Sequence, residues 1–250
     1  MDIRALLFDV NGTLIDIETD EGLEEIYRAI GHFLLYQGIS LHRWEVRDLY
    51  FQIMRQQRAA SAEPWAEWDA VALWREFLYT HASDYTRSLP AEKREQLPLF
   101  LAELHRGIAR KRLHLYPQVQ ETLDQLRSRY SLAVVSDAQS AYAVPELRSV
   151  GLLEYFDPII VSGDYGYRKP DARLFQKALD ALHLRPEQAL FIGNDLYHDI
   201  FGAQQIGMKA ILVSYNQGNA PYPTVSPDYT ISRFAELPQA VSSFTRSTPL

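Results

Sequence analysis

The chain contains no cysteine. Disulfides, thiolate chemistry and cysteine-based zinc sites are therefore excluded. No apolar run approaches the length needed to cross a bilayer. The opening MDIRALLFDV is too short in its apolar part for a signal peptide and carries no cleavage site. A cytoplasmic protein without membrane contact is the expectation. There is also no block of Lys or Arg; both signs of charge are interspersed, and the net charge is −7. That argues against nucleic acid as a partner. Gly-x-Gly-x-x-Gly, the P-loop, Gly-x-Ser-x-Gly and His-Glu-x-x-His are all missing, so the chemistries they mark lack their usual signature.

What is present is apolar mass in short runs. The chain has 250 residues, 47% of them hydrophobic, enough for one large α/β domain or a core with an inserted domain. Residues 5–10 form a nearly all-apolar run, and runs at 132–135, 158–161, 189–192 and 210–213 resemble it. Such runs suit strands buried on both faces of a parallel sheet. Helical patterns at 119–129, 140–150, 171–183 and 199–206 alternate with them. The pattern implies βαβ units and an open parallel sheet. Residues 229–232 add an edge strand and 234–244 a last helix, after an irregular Asn-, Gly- and Pro-rich loop at 216–227. From about 16 to 115 the rhythm breaks: helices are expected near 21–36, 42–60, 66–84 and 91–111, with no strand. The aromatic residues concentrated there read as the core of a helical bundle rather than a ligand box.

The chemistry-bearing residues fall at the carboxyl ends of the expected strands. Asp9 ends the first and is followed at once by Asn11-Gly12-Thr13; Ser136 and Asp137 end the second. Arg168-Lys169-Pro170-Asp171 follows the third and opens a helix, with Pro170 suited to its first turn. Gly193-Asn194-Asp195 ends the fourth and leads to His198 and Asp199. One aspartate at a turn would ordinarily be a cap. Four such groups on one rim of a parallel sheet form a site. They also have the parts for phosphoryl transfer: a carboxylate to attack, a lysine and a hydroxyl to hold the transferring oxygens, and oxygen ligands suited to Mg²⁺.

With these residues in order, the sequence resembles the haloacid dehalogenase (HAD) superfamily over about residues 3–15 and 116–213. The resemblance implies a Rossmann-like parallel-sheet core (1–15 and 116–250) with an all-helical C1-type cap inserted at 16–115. It also implies a Mg²⁺-dependent hydrolase acting on a small molecule, most simply a phosphate ester. By resemblance, Asp9 is the nucleophile. Ser136 binds the transferring group, with Asp137, Gly12 and Thr13 completing the phosphate-binding set. Lys169 neutralises that group and steadies Asp9. The metal ligands would come from Asp9, the Asn11 carbonyl, Asn194, Asp195 and Asp199.

Two positions depart from the family's pattern. The family's phosphatases usually carry a general acid/base aspartate where Asn11 stands, and an amide cannot exchange that proton at neutral pH. Where the fourth motif usually reads Gly-Asp, this chain has Gly193-Asn194-Asp195, leaving Asn194 and Asp195 as alternative ligands. Carbon–halogen hydrolysis needs no such proton, so a 2-haloacid dehalogenase is the competing reading, although those enzymes usually have Tyr at position 11 and Ser-Asn at 136–137. A catalytically weak binding protein on the same scaffold is the third. His198, beside the site, is weighed as a substitute proton donor and as a plain solvated residue.

Overall fold

The computed structural model describes residues 1–214 and 224–245. Among these, the strands are β1 (Ala5–Phe8), β2 (Ile15–Thr19), β3 (Arg110–Leu115), β4 (Ser131–Ser136), β5 (Ile159–Val161), β6 (Ala189–Gly193), β7 (Lys209–Val213) and β8 (Tyr229–Ile231). The helices are α1 (Glu24–Tyr36), α2 (Arg43–Ala60), α3 (Ala70–His81), α4 (Asp84–Ser88), α5 (Ala91–Ala109), α6 (Val119–Leu126), α7 (Ser140–Ser149), α8 (Ala172–Leu182), α9 (Gly202–Gln204) and α10 (Leu237–Phe244).

Six strands form one parallel sheet in the order β5-β4-β1-β6-β7-β8. The run of β1 is apolar throughout because both faces of the sheet are covered. Leu6 and Phe8 point into a cluster closed by α6, α7 and α10 through Leu123, Leu147 and Val241. Ala5 and Leu7 point the other way, against Leu174, Phe175 and Leu179 of α8. Strand β4 repeats the alternation, with Leu132 and Val134 on one side and Ala133 and Val135 on the other. After β1 the chain builds outward through β4 and β5. It then crosses back to place β6, β7 and β8 on the other side. Asp9 thus leaves β1 at the point where strand order reverses, the position at which open α/β sheets bind ligands.

Helices α1, α2, α3 and α5 bury a separate cluster. Its residues recur at helical spacing: Ile26, Ile30 and Leu34 on α1; Val46, Tyr50 and Ile53 on α2; Leu73, Trp74 and Phe77 on α3. Of the aromatic residues expected to form a bundle core, Tyr50, Trp68 and Trp74 are packed core, whereas Trp44 and Trp65 are only partly buried and Tyr79 is exposed. Tyr142 of α7 joins the same cluster and ties it to the sheet.

The structure differs from the sequence expectation in four places. Residues 16–115 are not free of strand: β2 and β3 pair antiparallel where the chain leaves and re-enters the sheet-bearing part. This ribbon is largely solvated and is held by cross-strand ion pairs, Arg112 with Asp16 and Glu18, and Lys111 with Asp20. Helix α3 begins at Ala70 rather than 66, because Asp69 caps it by accepting from the Ala72 amide at 2.8 Å. It ends at His81, and α4 is a separate short helix capped by Ser83, which accepts from the Thr86 amide. The helix expected at 199–206 instead runs from Leu196 to Gln204, its first part a π-helical turn (Leu196–Phe201) that continues into α9. Most of the expected loop at 216–227 lies outside the described residues, and 224–227 form neither helix nor strand.

Candidate active site

The turn after β1 is built on backbone demands. Val10 accepts from the amides of Thr13, Leu14 and Ile15, and Gly12 donates to the Ile15 carbonyl at 2.8 Å. Gly12 sits at φ +85°, a conformation that costs a side-chain-bearing residue on the order of 1 kcal/mol or more. The tight turn brings Thr13 back beneath Asp9, and the Thr13 hydroxyl lies 3.2 Å from Asp9 Oδ2 and 3.2 Å from Asn194 Oδ1.

The other oxygen of Asp9 faces the cation. Lys169 Nζ donates to Asp9 Oδ1 at 2.8 Å and to Asp199 Oδ1 at 2.6 Å. The Ser136 hydroxyl reaches the same Asp9 oxygen at 3.4 Å. The Lys169 side chain is 2% exposed, Asp9 8% and Asp199 1%. Burial alone would pull the Lys169 ammonium down. Asp199, Asp9 and Asp137 more than offset it and hold the group charged well above lysine's ordinary value. Burial pushes the Asp199 carboxyl up and Asp9 adds to the push, against the pull of Lys169. Two carboxylates share one ammonium in a dry setting.

Asp199 is committed on both oxygens. Its Oδ2 accepts from the Asn194 and Asp195 amides at 3.0 and 2.9 Å. Gly193 makes this approach possible: a Cβ there would collide with the Asp199 carboxylate. Asp195 turns toward the π-helical turn and caps it, accepting from the Tyr197 and His198 amides at 2.7 Å each. It is therefore the side-chain oxygen of Asn194 that stands beside Thr13 and Asp9.

Asp137 is equally committed. Oδ1 accepts from the Lys169 amide at 2.8 Å, and Oδ2 takes two Arg168 nitrogens at 3.3 Å. A carboxylate cannot donate to a phosphate oxygen, so its visible part is to hold the loop of Lys169. His198 Nδ1 lies 2.7 Å from the Lys169 carbonyl. A carbonyl only accepts, so this nitrogen carries the proton and Nε2 is left to the site.

These groups surround an open cavity of about 200 Å³ lined by Asp9, Asn11, Asp137, Arg168, Lys169, Asn194, Asp195, His198 and Asp199. Ser136, Gly12 and Thr13 do not line it; Ser136 touches the lining at Asp9, and Thr13 at Asp9 and Asn194. Arg168 is the lining residue to which sequence reasoning gave no role. Its place directly before Lys169 was the available signal. The oxygens that would hold a cation are hard ones: Asp9 Oδ2, Asn194 Oδ1 and the backbone carbonyl of Asn11. Among the described residues no three His, Asp or Glu side chains are grouped to hold a metal. The oxygen set fits Mg²⁺ with retained waters rather than a zinc-type site.

Residues 3–207 match the haloacid dehalogenase-like hydrolase family. The chain is 30% identical over 214 residues to glyceraldehyde 3-phosphate phosphatase of Methanothermobacter thermautotrophicus, covering 85% of this chain and 86% of that protein. It is also 30% identical over 261 residues to phosphoserine phosphatase of Thermus thermophilus, covering 94% and 98%. A crystal structure of 2-haloacid dehalogenase from Pseudomonas syringae shares the fold with a TM-score of 0.68 at 23% identity, over 97% of this chain and 100% of the other. With Asp9, Ser136, Lys169 and Asp199 gathered at one sheet edge and the family match spanning that whole edge, the chain belongs to the haloacid dehalogenase-like hydrolases.

Proposed function

We propose that this protein is a Mg²⁺-dependent phosphatase of a small phosphorylated metabolite, acting in the cytoplasm through an aspartyl-phosphate on Asp9. The observation that carries the reading is the pairing of one Asp9 oxygen with Lys169 Nζ at 2.8 Å and the Ser136 hydroxyl at 3.4 Å, beside an open cavity. The similar phosphatases support it. Asp9 attacks phosphorus, the ester P–O bond breaks, and the alcohol leaves as its alkoxide. Water then attacks phosphorus, the bond to Asp9 breaks and phosphate departs, and the proton that water gives up reaches the alkoxide through solvent. Lys169 neutralises the equatorial oxygens, and Ser136 orients the nucleophile and the transferring group. Mg²⁺, held by Asp9, Asn194 and the Asn11 carbonyl with Asp199 behind them, would supply charge neutralisation for the phosphoryl group. Residues 16–115 would serve as a cap over the core of 1–15 and 116–250, excluding bulk water.

Asn11 sets the limit of this activity. It cannot give the alkoxide its proton, so esters with good leaving groups should be the better substrates. The same residue favours one competing reading, hydrolysis of a carbon–halogen bond, whose leaving halide needs no proton. A panel of phosphate esters and 2-haloacids, each with and without Mg²⁺, separates them. Phosphate release that needs the metal supports the phosphatase. Halide release that does not need it overturns the phosphatase reading.

A further inference from the structure

Residues 61–69, between α2 and α3, form neither helix nor strand of their own. Their polar groups are engaged by the two loops that carry Ser136 and Lys169. Arg168 donates its amide to the Trp65 carbonyl at 2.9 Å, and Glu67 donates its amide to the Gly166 carbonyl at 2.9 Å, about an antiparallel bridge between Ala66 and Tyr167. Arg168 directly precedes Lys169, so this short ladder fixes the backbone that presents the ammonium. At the other end Arg173 stacks on Tyr167 and pairs with both Asp171 and Glu63.

Two buried side chains tie the same segment to the Ser136 loop. Gln139 is 6% exposed. Its amide nitrogen donates to the Trp68 carbonyl at 2.7 Å, and its amide oxygen accepts from Ala70 N–H at 2.9 Å. A Cβ on Gly163 would meet that amide at 2.7 Å, so the loop after β5 leaves Gln139 no freedom on its third side. Glu67, also buried, accepts from the Ser162 hydroxyl at 2.9 Å, and that hydroxyl accepts from the Ala138 amide at 3.0 Å. Ala138 is two residues beyond Ser136. Burying an amide and a carboxylate at such a seam is unfavourable unless each is fully paired, and apolar side chains would hold the seam with less geometric demand. What the paired groups add is register: the Ser136 loop and the Lys169 loop are indexed to the same nine residues.

We infer that Gln139 and Glu67 are positioning residues of the Asp9 site, which set Ser136 and Lys169 against the nucleophile when segment 61–69 is docked. The inference rests on the proposed reading of the Asp9 site, its kinetic arm through turnover and its exchange arm through phosphate binding. Misplacing reacting groups by about 1 Å costs on the order of a hundredfold in rate. Gln139→Met keeps the volume and removes both hydrogen bonds. Glu67→Met does the same at its position. Glu67→Gln retains an oxygen for the Trp68 amide and the nearby Arg58 guanidinium and gains an N–H that can donate to Ser162, so it is the conservative rescue.

The experiment combines p-nitrophenyl phosphate kinetics in Mg²⁺ with amide hydrogen exchange of segment 61–70, with and without inorganic phosphate and Mg²⁺. Gln139→Met and Glu67→Met are expected to lower kcat at least tenfold with less than a threefold change in KM, while Glu67→Gln stays within about threefold of the wild type. Phosphate is expected to slow exchange of the Glu67 and Ala70 amides in the wild type and not in Gln139→Met. A Gln139→Met protein with a lower melting temperature but wild-type kcat would overturn the inference. So would wild-type exchange in this segment that ignores phosphate. If no phosphate ester is turned over but phosphate slows exchange in the wild type and not in Gln139→Met, the proposed function fails and this inference stands.

Discussion

Lys169→Met places a side chain of similar length where a buried ammonium holds two carboxylates together. The ammonium lies 2.8 Å from Asp9 and 2.6 Å from Asp199, and neither carboxylate is more than 8% exposed. Breaking a buried ion pair by removing one partner costs about 3–5 kcal/mol, because the remaining charge is left without compensation. Here two charges of the same sign remain. For a chain of this length, that cost corresponds to a fall of roughly 10 °C in Tm. The penalty must depend on pH. Burial already holds the folded Asp199 carboxyl above the usual carboxylate range, and losing Lys169 raises it further. A raised carboxyl destabilises the fold while it is ionised and ceases to do so once protonated. The difference between variant and wild type should therefore grow with alkaline pH and shrink as pH falls through the raised Asp199 value. Thermal melts followed by circular dichroism at pH 8 and pH 5, in chelator, measure this. A variant as stable as the wild type at pH 8 would refute the reasoning, as would a penalty that grows with acid.

Asn11→Asp supplies the carboxyl missing from the proposed proton-transfer position. It should raise kcat about a hundredfold or more on alkyl phosphates and much less on aryl phosphates. Because Asn-Gly sequences deamidate, peptide mass spectrometry should first confirm the amide at position 11; equal rates on alkyl phosphates would refute the assignment. In the helical cluster, burial, with Arg106 nearby, lowers the His105 imidazole from 6.5 to about 3. A depressed base contributes stability above its unfolded value and loses it as pH falls through the folded one, so up to about 5 kcal/mol should disappear between pH 6.5 and 3. His105→Phe should flatten that part of the stability profile in urea titrations, and an unchanged slope would rule His105 out as its source.

The sheet was legible because its strands are buried on both faces, which writes a continuous apolar run for β1, β4 and β6 and leaves little choice of element. The site was legible for the same reason: polar residues that break such runs at their carboxyl ends must converge. The ribbon of β2 and β3 was missed because Ile15, Ile17, Leu113 and Leu115 alternate over too few positions, among charges that read equally well as a solvated helix end. Segment 61–69 was partly read as helix. Its Trp65 and Trp68 suggest an apolar stripe, yet its backbone is satisfied by loops distant in sequence, which no local pattern encodes. The order of Asn194 and Asp195 could not be settled from spacing either. It depends on Asp195 capping the π-helical turn, and that turn depends on Asp199 reaching back past Gly193.

The central claim is that Asp9 carries the phosphoryl group. Its most direct test is acid-quenched single turnover of a phosphate ester with Mg²⁺, followed by peptide mass spectrometry, on the wild type and on Asp9→Asn. The account expects a phosphoryl group on the peptide containing Asp9 in the wild type, and neither modification nor phosphate release in Asp9→Asn. Phosphate released by Asp9→Asn at a rate comparable to the wild type, with no modified Asp9 peptide in either protein, would contradict it.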